Sequence, residues 1–351
     1  MNKKDKKLFQ ELLRKPNVVA VGYGTKKSEG IDAKENAIVV HVSKKVPIES
    51  LSRRQRIPEK VKGRKTDVIE VGGEIRLFKR PPVPPRGGPK QSGRISTQEF
   101  TARERPARAG CSIGHKDITA GTLGAVVYNR RNQPLILSNN HVLANVNQGE
   151  IGDEILQPGH YDGGRIPGDV IARLDQFVEI DMVSSSDCPF TNTELKLRNF
   201  IAQLFGQHSR YYAKRDVTNK VDCALAIPMK DSDIDSFIPD FGVIAGVTSP
   251  KVGMAVMKRG RTTEITKGKI DSIGNMVNVN MGDGQIAIFE DQVIISGLNG
   301  TQFSAGGDSG SLILTTAREA VCLLFAGNDT ITIGNDINNV LEALDVSFNK
   351  R

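Results

Sequence analysis

The chain has 351 residues, 38% hydrophobic and 25% charged, with 35 glycines and few aromatic residues. This composition is typical of a soluble globular protein, and the length is sufficient for two domains. No stretch reaches the roughly 18 apolar residues that a membrane-spanning helix needs, and no apolar signal core follows the basic N-terminus. We therefore expect a cytoplasmic protein with no membrane partner.

The first part of the chain predicts a small basic α/β domain over residues 1–78, either regulatory or a pro-domain. A helix is expected from Lys6 to Lys15, because its leucines fall on one face and Pro16 ends it. Apolar runs predict strands at residues 17–24, 37–42 and 66–71, and a short helix is expected at residues 47–51.

Residues 79–109 predict an exposed linker, because their many prolines and glycines disfavour regular structure. Residues 1–110 hold 27 Lys and Arg against 12 Asp and Glu, whereas the remainder holds 21 against 28. The two parts should therefore attract each other, and the N-terminal domain is a candidate inhibitor of the rest. Nucleic acid is an unlikely partner, because few aromatic residues lie among the scattered basic ones.

From residue 110 onward, short apolar runs alternate with glycine turns, which favours a β-rich domain over residues 110–351. Strands are expected at residues 120–128 and 135–137, an inserted helix at 195–205, and a closing helix over 336–348. Four cysteines lie far apart without metal-ligand spacing, so we expect reduced, buried thiols and neither metal nor cofactor.

Residues 304–311 read Ser-Ala-Gly-Gly-Asp-Ser-Gly-Ser, and an apolar strand follows them. This pattern holds the hydroxyl of Ser309 in a tight turn, where the backbone N–H groups of Gly307 and Ser309 could stabilise an oxyanion. His141 and Asp222 lie upstream in apolar segments, in one of the chain orders used by Ser-His-Asp triads.

Other interpretations stay open for each of these residues, and His141 could be an ordinary hydrogen-bonded histidine at the end of a strand. A Gly-Asp-Ser-Gly run also occurs as an ordinary turn, and Asp222 could be a turn carboxylate, with Asp181 as the alternative acid. The chain could also be a catalytically silent peptide-binding module.

These motifs resemble the trypsin-like, chymotrypsin-fold serine peptidases of bacterial type, over about residues 110–344. The resemblance implies two six-stranded antiparallel β-barrels and a C-terminal helix, with a protein or peptide as substrate. It also implies peptide-bond hydrolysis through an acyl-enzyme, with Ser309 as nucleophile, His141 as general base and Asp222 orienting the imidazole.

In this family the residue matching Asp308 pairs with a buried cation that locks the oxyanion loop. The chain has no Ile-Val-Gly-Gly run to supply a new N-terminus, so another cation is needed, for which an arginine is one candidate. The turn over residues 258–263 resembles one in bacterial relatives, without an assigned role. The resemblance also implies an exposed substrate-binding edge, and the candidates for it and for the specificity pocket are Phe325, Ala326, Gly327, Asn328 and Phe303.

Overall fold

The computed structural model describes residues 1–28, 31–77, 100–183, 217–282 and 284–350. Its contacts divide the chain into two compact units. Unit 1 combines Met1–Leu77 with Asp181–Lys220 and Asp271–Ile294, and unit 2 holds Phe78–Ile180, Val221–Ile270 and Ile295–Arg351. The sequence-based boundary near residue 78 stays a prediction, and the structure adds two later segments to the first unit.

The helices and strands of the described residues are numbered here in chain order. The helices are α1 (Lys3–Leu13), α2 (Asn140–Leu143) and α3 (Ile337–Leu344). The first strands are β1 (Val18–Ser28), β2 (Ile31–Val42), β3 (Lys60–Val61), β4 (Arg64–Glu70), β5 (Ser112–His115), β6 (Gly121–Thr122), β7 (Ala125–Tyr128), β8 (Pro134–Ser138) and β9 (Glu154–Leu156). The later strands are β10 (Val170–Phe177), β11 (Ala224–Pro228), β12 (Gly246–Val247), β13 (Ala255–Gly260), β14 (Glu264–Gly282), β15 (Gln285–Gly297), β16 (Leu312–Thr315), β17 (Glu319–Gly327) and β18 (Thr332–Asp336).

Unit 1 packs helix α1 against a sheet that includes part of β14. The side chain of Asn2 caps the helix by accepting from the Asp5 N–H at 2.8 Å. Phe9 on its apolar face is fully buried and shares a cluster with Met276 of β14. Strand β1 pairs antiparallel with β2 on one side and with β14 on the other, whereas β2 and β4 are parallel.

Unit 2 contains a seven-stranded sheet in the order β6-β5-β9-β10-β11-β8-β7. In the second sheet of the chain, the order includes β13, β16, β17, β18, β15 and β14, and the β13–β14 pairing closes these strands into a six-strand ring. Residues 271–294, which include most of β14 and β15, belong to unit 1. Helix α3 comes directly after β18, and the Asp336 side chain caps it through the N–H of Asn338. The expected mainly β class with a C-terminal helix is confirmed.

The last ten residues of the expected exposed linker are partly buried. Phe100 is 4% exposed and Ala107 is fully buried, with Ala107 donating to the Asp233 carbonyl at 2.7 Å. Apolar burial outweighs the local tendency of this charged segment to stay extended. The expected helix over residues 195–205 lies outside the described residues. Among the described helices, none has the length and apolar character to cross a bilayer.

Candidate active site

Ser309 lies in a turn that only glycines can build. Gly307 and Gly310 flank it with φ values of 98° and 95°, in the left-handed region that side chains disfavour. A Cβ on Gly310 would come within 2.2 Å of the Ser138 Oγ, so the turn also depends on close packing. The turn ends where β16 begins at Leu312.

His141 and Asp222 meet at the ends of two paired strands. His141 lies in the short helix α2 directly after β8, and Asp222 precedes β11, which pairs with β8. The His141 Nδ1 lies 2.6 Å from the Asp222 Oδ2, and the His141 N–H donates to the other carboxylate oxygen at 3.3 Å. Asp222 is fully buried, whereas the His141 side chain is 12% exposed. This contact leaves the imidazole Nε2 as the nitrogen that can accept a proton.

Two asparagines that the sequence analysis missed hold the backbone of Asp222. Asn139 donates to the Asp222 carbonyl at 2.7 Å. Asn335 accepts from the Asp222 N–H at 3.1 Å and donates to the Asp222 and Leu323 carbonyls. A buried amide that loses its hydrogen bonds costs free energy. Moving the Asp222 backbone would break these contacts, so they give the carboxylate a defined position. Asn139 stands two residues before His141, but nothing in the sequence marks Asn335, which is 113 residues from Asp222.

Gly121 lies between the segments of Ser309 and His141. A Cβ at Gly121 would come within 2.5 Å of the Val142 Cγ2 and 3.0 Å of the Ser309 carbonyl oxygen. The neighbouring Thr122 N–H donates to that same carbonyl at 2.8 Å. The Ser309 Oγ donates to the Phe325 carbonyl at 3.3 Å. The structure thus brings the segments of all three expected triad residues to one place in unit 2.

The carboxylate of Asp308 is fully buried and takes several hydrogen bonds. Its Oδ1 accepts from the N–H groups of Thr262 and Thr263, at 2.8 and 3.1 Å. Its Oδ2 accepts from the Thr263 hydroxyl at 2.6 Å and from the Ala305 N–H at 2.9 Å. The cation beside it is Lys258, whose Nζ lies 3.3 Å from Oδ2. The partner is therefore a lysine and not the candidate arginine, and the segment over residues 258–263 gains the role that the sequence left unassigned.

Lys258 is buried together with Asp308, and neither side chain is exposed to solvent. Burial lowers the pKa of the Lys258 ammonium, and the nearby Asp308 opposes this shift. The ammonium also donates to the Thr263 hydroxyl and to the Glu264 carbonyl. Lysine fits this site because its three donors can be shared among a carboxylate, a hydroxyl and a carbonyl.

The two arginines of the same turn have other partners. The Arg259 guanidinium lies 4.1 Å from the centre of the Phe100 ring and donates to the Ala109 carbonyl. Arg261 pairs with Asp162, and its Nε donates to the Asp162 Oδ2 at 2.8 Å.

The side chains of the expected substrate-binding strand are mostly buried. Phe325 and Ala326 are fully buried, and Ala326 and Gly327 pair with β18. The Asn328 carboxamide oxygen accepts from the Thr330 and Ile331 N–H groups, so this side chain stabilises the turn between β17 and β18. One edge of this strand therefore pairs with β18, and the role of these residues in substrate binding stays a prediction.

Phe303, the other pocket candidate, is 3% exposed. Its ring fills the space that a Cβ on Gly268 would occupy, at 2.7 Å.

The alternative acid Asp181 is exposed, and its N–H donates to the Asn219 carboxamide at 2.8 Å. Cys111, Cys223 and Cys322 are free and buried, and burial raises the pKa of Cys111 to about 12. These thiols stay protonated at neutral pH, which disfavours them as nucleophiles. Within the described ranges, no group of three or more His, Cys, Asp or Glu side chains is placed to hold a metal ion.

A known protein family matches part of the chain. The model of Peptidase family S64 matches residues 185–328, a segment that contains Asp222 and Ser309 but not His141. This match confirms the recognition of a serine peptidase, an enzyme that hydrolyses peptide bonds. The similarity is to family S64 over less than half of the chain, and it gives no support to membership of the trypsin family itself. No curated protein sequence matches the chain significantly.

Several solved structures are similar to the chain at low identity. Thermobifida fusca protease A is 14% identical, with a TM-score of 0.41 over 68% of this chain and 96% of its own. Cellulomonas bogoriensis chymotrypsin is 14% identical, with a TM-score of 0.41 over 70% of this chain and 98% of its own. A glutamic acid specific serine protease is 17% identical, with a TM-score of 0.42 over 69% of this chain and 99% of its own.

Proposed function

We propose that the protein is a serine endopeptidase in which Ser309, His141 and Asp222 form the catalytic triad. The observation that carries this proposal is the contact between the buried Asp222 carboxylate and the His141 Nδ1, 2.6 Å apart. A buried carboxylate in this position holds the imidazole in one tautomer and stabilises its protonated form.

The reaction proceeds in two steps. His141 removes the proton of the Ser309 hydroxyl as its oxygen attacks the scissile carbonyl, and the same proton then goes to the leaving amine. The resulting acyl-enzyme is hydrolysed by a water molecule that His141 activates in the same way. The N–H groups of Gly307 and Ser309 stabilise the negative oxygen in both steps, and losing one such donor costs about 10²–10³ in rate.

In the structure, the Ser309 hydroxyl donates to the Phe325 carbonyl. Rotation about χ1 changes the direction of this hydroxyl without moving the backbone of the turn. We propose that substrate binding accompanies this rotation and brings the Oγ to the His141 Nε2.

Labelling with a fluorophosphonate tests the triad. The full-length protein should be modified at Ser309, as mass spectrometry of its peptides would show, and the Ser309→Ala variant should not. Cys111→Ser is the matched control, because it changes a buried thiol outside the proposed triad. A folded full-length protein that neither reacts nor cleaves a peptide library would favour the silent peptide-binding module instead.

The basic N-terminal segment is proposed to lower the activity through its charge. The support is the net charge of +15 on residues 1–110 against −7 on the remainder. Deleting this segment is not a clean test, because β1 pairs with β14 and Phe9 packs in one cluster with Met276.

Charge reversal in the full chain is a better experiment. Lys3, Lys4 and Lys7 are exposed on α1. Their triple substitution by Glu should raise kcat/KM, and added salt should raise the wild-type value in the same direction. Their triple substitution by Arg is the control. Equal rates for the wild type and both variants at all salt concentrations would refute inhibition by charge.

A further inference from the structure

We infer that Thr262 and Arg261 are positioning residues that set the direction of the Gly307 N–H, one of the two proposed oxyanion donors. This inference rests on the proposed function. It concerns the segment at residues 258–263. The contacts of this segment with Asp308 do not involve the side chains of Arg261 and Thr262, so these side chains have no role in them.

The Thr262 hydroxyl donates to the Gly306 carbonyl at 2.6 Å. In a trans peptide, the carbonyl and the following N–H point in opposite directions. Holding the Gly306 oxygen toward Thr262 therefore turns the Gly307 N–H to the opposite side of the peptide. A rotation of this peptide would break the hydrogen bond and aim a carbonyl where the donor should point.

Gly307 needs such a restraint because glycine has two hydrogens on its Cα and rotates easily. The peptide on its other side is held in the same way, since the Thr122 hydroxyl donates to the Gly307 carbonyl at 2.8 Å. Both peptide planes that meet at Gly307 are thus fixed by threonine hydroxyls. A Cβ on Gly307 would lie 2.4 Å from the Thr262 Oγ1, so this arrangement also requires glycine there.

Arg261 connects the two threonines. Its backbone N–H donates to the Thr122 Oγ1 at 3.1 Å, and its Nη1 donates to the Thr262 Oγ1 at 3.0 Å. The Nη1 donation occupies a lone pair of the Thr262 oxygen, which directs the hydroxyl hydrogen toward Gly306.

The guanidinium of Arg261 is itself fixed. It pairs with Asp162 through two nitrogens and lies 4.9 Å from the centre of the Tyr161 ring. Asp162 also accepts from the Ser112 hydroxyl at 2.5 Å. Because Arg261 and Asp162 are both nearly buried, their bidentate pair is geometrically rigid. This chain of contacts runs from β5 to the oxyanion turn within unit 2.

The test compares Thr262→Val with Thr262→Ser in the full-length protein, using a peptide ester and a peptide boronate. Valine keeps the shape of the side chain and removes the hydroxyl. The kcat should therefore fall by at least about fivefold. The largest expected fall is about 10²–10³-fold, which is the effect of losing an oxyanion donor completely. KM should change less than about twofold, because the ground-state carbonyl needs this donor less than the transition state does. The boronate inhibition constant should rise in parallel with the loss in kcat, and serine should restore both values.

Thr301→Val is the matched control, because its hydroxyl also donates to a loop carbonyl, that of Leu298, at 2.7 Å. It should keep wild-type kinetics. Thr262→Ala provides a second hydroxyl-free variant if valine prevents folding, which circular dichroism would reveal. An active wild type with unchanged kcat in folded Thr262→Val or Thr262→Ala would overturn this inference alone. A wild type without hydrolysis or labelling would overturn the proposed function as well.

Discussion

Replacing Lys258 by methionine removes the cation beside Asp308 and keeps a side chain of similar length. The two charges are both fully buried, with the Nζ and Oδ2 atoms 3.3 Å apart. Breaking a buried pair by removing one partner costs about 3–5 kcal/mol, because the other charge is left without compensation. Asp308 would keep its donors from Thr262, Thr263 and Ala305, so we expect the lower end, about 3 kcal/mol.

The loss should appear in thermal unfolding followed by far-UV circular dichroism. At the size of unit 2, about 3 kcal/mol corresponds to a midpoint lower by roughly 6–12 °C. The kcat should also fall, because Asp308 belongs to the turn that presents Gly307 and Ser309. The double variant Lys258→Met with Asp308→Asn removes both charges and should be more stable than Lys258→Met alone. The reasoning is refuted if Lys258→Met unfolds within 2 °C of the wild type, or if the second substitution restores no stability.

Two further predictions concern acid stability and the packing between the triad segments. Burial acts to raise the pKa of Asp153, but hydrogen bonds from Lys116 and other donors outweigh it, so the pKa lies below its ordinary value. Its stabilising effect is therefore present above about pH 4 and is lost as the pH falls toward the folded-state pKa. The midpoint difference between the wild type and Asp153→Asn should shrink from pH 6 to pH 3, and a constant difference would contradict this. In Gly121→Ala the new Cβ would meet Val142 at 2.5 Å. The kcat/KM should drop with little change in KM. Val142→Ala in the same chain should restore part of it, because it removes the Val142 contact and leaves the 3.0 Å approach to the Ser309 carbonyl oxygen. A folded double variant with no recovery at all would contradict the role of the Val142 contact in the geometry of the proposed triad.

The candidate residues of the site could be predicted from the sequence, because the residues next to each of them indicate a turn or the end of a strand. A serine between glycines before an apolar run indicates a tight turn at the start of a strand, and Ser309 occupies such a turn before β16. The closing helix could also be predicted, since apolar residues with helical spacing follow a capping Asp336. Its observed range, Ile337–Leu344, is shorter than expected, because strand β18 includes Asp336 and the backbone of Asp345 turns left-handed.

The partners of these groups could not be predicted in the same way. Lys258 and Arg261 are three residues apart, and by charge alone either cation could pair with Asp308. Strand β13 includes Lys258 and pairs with β16, which follows the oxyanion turn, and this pairing brings the lysine to the carboxylate. Arg261 lies beyond the end of β13 and pairs with Asp162 instead.

The organisation of the N-terminal region is a second example. Its helix and strands are visible in the local pattern, but β1 also pairs with β14, so that Ala20 lies opposite Val277. Neither the net charge nor the linker composition predicts this pairing, because it joins two strands that are far apart in the sequence. The contact between the Phe100 ring and Arg259 could not be predicted either, because the two residues are far apart in the sequence.

The amino-acid sequence by itself determined the mainly β class, the turn that presents Ser309 and the choice of serine, histidine and aspartate for the proposed triad, because each depends on neighbours within a few residues. Only the tertiary structure decided that Lys258 neutralises Asp308, that Asn335 holds Asp222, and that Thr262 and Thr122 orient the peptides around Gly307. Those choices depend on strand pairing and burial over long sequence separations, where geometry selects one partner among several of suitable chemistry.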